Sequence, residues 1–253
     1  QAVVQTSILL IGVGAFVILV GVGCAWAVTA YDFSGRRFAE WALLLPLAVP
    51  TYVVAFAYLD ILHPLGPVQS LIRDVMGIAS PRDLRLPDIR SLTGCILILG
   101  LVLYPYVYLS ARAMFVLQPA SLIESAKMLG AKPFSAFWYV ALPAARPGIA
   151  VGGSLALMEA LNDIGAAQFL GVQTITVSIY STWVNRSSLG GAAQIALFLL
   201  LFVAILIVME RWGRRHRDGA VAAEVTDVMV PVKLHGWRAF AAIFLTGVPV
   251  FLG

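Results

Sequence analysis

Apolar residues run through this chain in long blocks, not in the short alternations of a half-buried surface, and polar or charged stretches bound each block. Blocks near 6–28, 41–62, 91–115, 148–170 and 191–210 approach the roughly 20 residues that a helix needs to cross a bilayer. They predict five full spans, and a sixth begins near 239. The closing stretch AFAAIFLTGVPVFLG (239–253) is too short to complete it. Pro46, Pro50 and Pro105 fall inside spans and predict kinks that neighbouring helices absorb. The expected fold class is all-α, a polytopic transmembrane helical bundle. Residues 1–210 form its membrane domain, 211–238 a basic cytoplasmic linker and 239–253 the start of further membrane structure.

Composition strengthens this picture. Hydrophobic residues make up 60% of the 253 positions and charged residues 12%, against roughly 45–50% and 25% in soluble domains. The mean hydropathy is +0.91. A formal charge of +4 would suggest nucleic acid as a partner for a soluble protein. Here the basic residues read as topology signals, and no nucleic acid is expected. Cys24 and Cys95 lie in apolar runs, far in sequence from His63, His216 and His235, and predict small buried hydrophobes without disulfide or metal. The chain starts at Gln1 without Met and stops within an apolar run, which predicts a fragment of a longer protein, and no signal-peptide pattern opens it.

Lys and Arg set the expected orientation. Twelve of them lie in 29–40, in 112–147 and in 211–238, including Arg36, Arg37, Arg112, Arg214 and Arg217; the other side holds five, Arg73, Arg82, Arg85, Arg90 and Arg186. The positive-inside rule therefore puts the first set in the cytoplasm and residue 1 outside. The run ERWGRRHRDG (210–219) predicts an anchor and linker that touches anionic lipid headgroups. The GVG triplets at 12–14 and 21–23 do not complete a nucleotide fingerprint and predict close helix packing.

The longest loop on the basic side holds ESAKMLGAKPFSAFWYVALP (124–143). Ser121 followed by Glu124 is a capping-box pattern that predicts a helix start. Gly130 suits a left-handed C-terminal cap, and Pro133 the first position of a second helix carrying Phe134, Phe137, Trp138 and Tyr139. Pro143 and Pro147 are expected to close the loop. Helices this short are marginal alone. Such an aromatic knob suits a groove on a soluble partner, or else the headgroup layer and the protein's own helices.

Glu124-Ser125-Ala126, three residues, Gly130, nine residues, then Val140-Ala141-Leu142-Pro143 resembles the EAA loop of binding-protein-dependent ABC importer permeases. Ser125 stands for the first Ala of that pattern and Val140 for its Ile. The stretches AWAVTAYDFSGRR, LLLPLAVPTYVVAFAYLD and MEALNDIGAAQFLGVQTITVSIYSTW extend the resemblance to iron(III)-type permeases, whose single chains carry two homologous halves. The resemblance implies the type I importer fold, most of a first half with the start of a second, truncated one, in a bacterial inner membrane. It also implies that Glu124, Ser125, Ala126, Gly130, Phe134, Phe137, Leu142 and Pro143 form a coupling loop gripped by a cytoplasmic ABC ATPase dimer. An extracytoplasmic iron-binding protein is the implied donor. ATP and magnesium are expected at the ATPase, with no cofactor in this chain.

Glu159, Asn162 and Asp163 are expected on one face of the span 148–170. Ionised acids in hydrocarbon cost about 2.5 kcal/mol or more, so these residues predict either a translocation path for a cation or ferric complex, or a polar packing face. Gly165, Gly171, Thr174 and Tyr180 continue toward the outer side. Thiamine, sulfate, phosphonate and polyamine permeases share the same loop pattern and are alternative solute classes. A secondary transporter using Glu159 and Asp163 as a proton relay is a further alternative, but leaves the loop unexplained. An intramembrane enzyme would need a nucleophile–base or metal constellation that the sequence does not offer.

Overall fold

In a bilayer every backbone amide must be satisfied within the protein, so apolar runs of this length become helices. The computed structural model describes residues 1–78, 80, 87–215 and 231–253. Its helices are α1 (Ala2–Ala30), α2 (Arg36–Ala42), α3 (Thr51–Ile61), α4 (Pro67–Met76), α5 (Leu92–Val116), α6 (Ala120–Met128), α7 (Pro133–Ala136), α8 (Leu142–Asn162), α9 (Gly165–Phe169), α10 (Ile175–Val184), α11 (Leu189–Arg215) and α12 (Trp237–Leu252). Two short strands, β1 (Tyr31–Asp32) and β2 (Val232–Lys233), pair in parallel. Arg82, Arg85, His216, Arg217 and the middle of the expected linker lie outside the described residues.

Among the described residues three helices are long and apolar enough to cross a membrane: α1, α5 and the continuous helix Pro133–Asn162 that includes α7 and α8. The expected span 41–62 is instead a pair, Arg36–Ala48 and Thr51–Ile61, bent by 92°. Its prolines explain the break. Pro46 lies in a tight 3₁₀ turn over Leu45–Ala48, and Pro50 is extended at φ −59°, ψ 135°. The expected span 148–170 starts earlier and stops at Asn162, because Asp163 turns extended at ψ 105°. The fifth expected span falls within α11, whose described apolar part is Leu189–Leu201.

The core lies where α1, α5 and α8 meet. Val13, Val17 and Val28 of α1 face Ile98, Leu99 and Val107 of α5, with Ala156 and Ala160 of α8 filling the third side. Cys24 and Cys95 are buried and unpaired within it. Small residues let these helices approach closely. A Cβ on Gly21 would lie 2.8 Å from Val107 Cβ, and one on Gly152 only 2.6 Å from the Tyr106 carbonyl. Gly152→Leu is therefore expected to force α5 and α8 apart and to abolish stable protein in detergent, whereas Gly190→Leu, where a Cβ meets nothing within 4 Å, leaves yield and melting unchanged.

The loops sort to opposite ends. At one end Leu234 N donates to the Asp32 carbonyl (2.9 Å), carrying the chain after the linker back to the end of α1. At the same end Glu40 accepts from Arg36 (3.1 Å) and Arg112 (2.9 Å), and Tyr108 Oη donates to the Glu40 carbonyl. Arg36 Nε also donates to Val28 O at 2.7 Å, near the C-terminus of α1. Two cations counted as topology signals thus tie α2 to α1 and α5. Glu40→Gln leaves two guanidinium groups facing each other and is expected to cost about 1–3 kcal/mol, read as a lowered melting temperature that Glu40→Asp partly restores.

At the other end Gln173 N donates to Gln5 Oε1 (2.9 Å), Ile175 N to Thr6 Oγ1 (3.0 Å) and Arg90 Nε to Phe169 O (3.2 Å). Here α4 turns its polar side inward. Gln69 and Arg73 are buried and donate to Leu62 O (2.8 Å) and Pro64 O (2.7 Å).

Candidate functional site

The EAA-like segment forms a knob on a fixed base. Helix α6 begins one residue before Ser121, so Ser121 is its second residue and not its cap; Pro119 precedes the helix and its carbonyl accepts from Leu122 N. Pro119 forces the entry into the helix, which the capping-box reading missed. At the far end Gly130 has φ +85°, and Ala131 N donates to Ala126 O at 3.0 Å. This six-to-one bond past a left-handed Gly is the Schellman ending. The turn displays Met128 and Leu129, 90% and 89% exposed, and Tyr139 nearby is 81% exposed. Glu124 and Ser125 are exposed and Ala126 is half-buried.

The second half of the loop is no isolated helix. From Pro133 it runs directly into α8, so Pro143 and Pro147 lie inside the helix and do not close the loop. A π-helical stretch, Phe137–Ala141, makes this possible. Leu142 N donates to Phe137 O, five residues back, and Pro143 follows with no N–H to offer. Leu142 and Pro143 are half-buried here. Buried Gln118 donates through Nε2 to the Ala141 carbonyl (2.9 Å), stapling the start of the loop to the π stretch.

Aromatic packing completes the base. Phe137 lies 5.0 Å from Trp26 and 6.5 Å from Phe115 between ring centroids, and Trp26 meets Phe115 edge-on at 5.3 Å. Phe137, expected among the docking residues, therefore faces its own bundle. Its neighbour in the expected set, Phe134, is 69% exposed. Spacing alone could not separate them, because Phe137 is picked out by contacts with Trp26 and Phe115 from other helices.

The three polar residues of the expected path cluster at the end of α8 but differ in exposure and partners. Glu159 and Asn162 lie on α8 and are exposed. Asp163 sits past the helix end, half-buried, and both its oxygens are engaged: Oδ1 accepts from Ala166 N (2.7 Å) and Oδ2 from the Thr51 hydroxyl. Asp163 thus caps α9 and fastens it to α3 beyond the bend. Gly165 supports the same junction, since a Cβ there would lie 2.8 Å from Tyr52 Cβ. Thr174 caps α10 by accepting from Val177 N (3.1 Å), Gly171 turns at φ +71°, and Tyr180 is part-exposed on α10. Among the described residues no group of three His, Cys, Asp or Glu side chains could hold a metal ion.

Sequence reading missed Gln118, Trp26 and Glu40. Gln118 had a usable signal, a polar residue just before Pro119 at the edge of an apolar span. Trp26 had none, being one of two aromatics in a long, mostly apolar helix.

Comparison with known proteins fits this architecture. Residues 17–217 match the family described as the binding-protein-dependent transport system inner membrane component. The Fe(3+)-transport system permease protein FbpB 2 of Haemophilus influenzae is 27% identical over 204 residues, 81% of this chain and 35% of that protein. The molybdenum transport system permease protein ModB of Escherichia coli K12 is 25% identical over 201 residues, covering 77% of this chain and 84% of the relative. A putative 2-aminoethylphosphonate permease, PhnU of Salmonella typhimurium, is 29% identical over 177 residues, 67% of this chain and 61% of its own length. The chain thus spans about a third of the iron relative's length and most of the molybdenum relative's. The family match covers well over half of these residues, and the chain belongs to the binding-protein-dependent transport system inner membrane component family.

Proposed function

We propose that this chain is the permease part of an ABC importer that moves ferric iron, or a ferric complex, by ATP-driven alternating access. The exposed turn around Gly130, displaying Met128 and Leu129 on a base held by Gln118 and Phe137, carries the proposal. Burying a large aliphatic side chain is worth about 1.5–3 kcal/mol, so an apolar knob this exposed suits a partner's cleft far better than water. The partner is a cytoplasmic ABC ATPase dimer, which binds ATP and magnesium, and a binding protein delivers solute at the end holding Gln5 and Gln173. The loop end lies in the cytoplasm on the charge asymmetry.

Iron rests on the FbpB 2 relative and on the exposed Glu159, a carboxylate that favours a cation on the path over an oxyanion. Relatives named for molybdenum, sulfate and 2-aminoethylphosphonate support a second reading, an oxyanion importer. The full-length permease, reconstituted in proteoliposomes with its ATPase and binding protein, separates the two. Under the iron reading, ATP-dependent uptake of radiolabelled ferric iron is not competed by molybdate, sulfate, phosphonate or thiamine. ATP-dependent uptake of an oxyanion without iron overturns the metal and keeps the importer.

A further inference from the structure

A cavity of about 800 Å³ opens between the end of α1, the coupling loop and the chain returning into α12. Its apolar walls are Trp26 and Ala27 of α1, Phe137 of the loop, and Ala242 and Leu245 of α12. Its polar lining gathers at one end, where Tyr31, Lys233, His235 and Arg238 lie. No acidic residue belongs to its described lining, and among the described residues no carboxylate forms a salt bridge with Lys233 or Arg238, although Asp32 is the strand partner of Lys233. Arg238 lies over the Trp237 ring, 5.9 Å from its centroid.

The dimensions match an amphiphile. From Ala30 back to Gly23, or from Trp237 on to Leu245, the helices advance about 10–12 Å at 1.5 Å per residue. The cavity thus runs from a cationic rim at the end of α1 and the start of α12 to apolar walls along both helices. Gly23 contributes open space: a Cβ there meets nothing within 4 Å, unlike Gly12 and Gly21 on the same helix. Cys24 Sγ lies 3.5 Å from the Leu245 carbonyl, where α1 and α12 close on each other.

We propose that this cavity binds one anionic phospholipid of the leaflet on the loop side, its phosphate on Lys233 and Arg238 and its acyl chain along Trp26, Ala27 and Ala242. Charge complementarity and position at the membrane boundary select the lipid. A soluble apolar ligand would leave both cations unmatched, and free phosphate would leave the apolar walls uncovered. Phe134 and Phe137 line the same space, so the bound lipid braces the inner side of the loop.

The test is native mass spectrometry of the delipidated full-length permease titrated with phosphatidylglycerol, with phosphatidylcholine and with inorganic phosphate. One phosphatidylglycerol is expected to bind tightly. Lys233→Gln and Arg238→Gln should each weaken it about fivefold, and the pair about 25-fold, from the energy of a basic residue at an anionic surface. Ala241→Trp, at an exposed position on the cavity wall, keeps both cations but fills the space, and should also abolish binding. Melting temperature confirms that each variant is folded. Equal binding of phosphatidylcholine, undiminished affinity for phosphatidylglycerol in the double variant or in Ala241→Trp, or binding of phosphate alone each overturns the proposal.

Discussion

Gly130→Val is expected to cut ATP-driven uptake about 5- to 30-fold while the permease still inserts and folds. A left-handed backbone costs a residue with a Cβ roughly 1–2 kcal/mol, and this shifts a two-state population by that factor. The cost is purely conformational, because a Cβ at Gly130 meets nothing within 4 Å. Losing the left-handed φ of +85° unwinds the turn that aims Met128 and Leu129 outward. Two controls make the reasoning specific. Gly130→Asn, which tolerates the left-handed region, should keep most of the uptake. Gly130→Ala should fall between the two. Uptake and permease-stimulated ATP hydrolysis, measured together in proteoliposomes, read the effect as a loss of coupling. Equal activity of the Val and Asn variants would remove the turn from the account.

The second large effect separates two acids that the sequence grouped together. Asp163→Ala removes the cap of α9 and its bond to Thr51, and is expected to destabilise the permease by about 1–3 kcal/mol, with uptake falling in proportion to folded protein. Thr51→Ala should cost less, and a double-mutant cycle should return a coupling of about 0.5–3 kcal/mol between them. Glu159→Gln is the contrast. Among the described residues its exposed side chain makes no hydrogen bond or ion pair, so melting should hold while uptake of a cation drops. Thermal unfolding paired with uptake per folded molecule checks both. A stable Asp163→Ala with lost uptake would return Asp163 to the path.

These predictions follow the line between what the chain displays as sequence and what it does not. Long apolar blocks marked α1 and α5 within a few residues, because composition alone decides a helix in lipid. The turn at Gly130 and the helix start at Pro133 were readable from local chemistry, a Gly and a Pro where each is needed. Three features were not. The bend after Ala48 needs two prolines and a change of direction that hydropathy averages away. The break at Asp163 depends on a partner 112 positions away, Thr51. The inward packing of Phe137 depends on Trp26 and Phe115 from two other helices. Conversely, Arg36, Arg112 and Arg73 served as charges in a topology count while their guanidinium groups hold the ends of the helices together.

The central claim, that the loop is where a separate ATPase grips this chain, has a direct measurement. Leu129→Cys in the otherwise Cys-free full-length permease, mixed with its ATPase and a short bifunctional thiol cross-linker, is expected to give a permease–ATPase adduct. The adduct should weaken in the Gly130→Val background and be absent for Leu65→Cys, an exposed position on the loop at the opposite end. An assembled complex that transports solute yet gives no adduct at Leu129, or gives one equally at Leu65, would contradict the account.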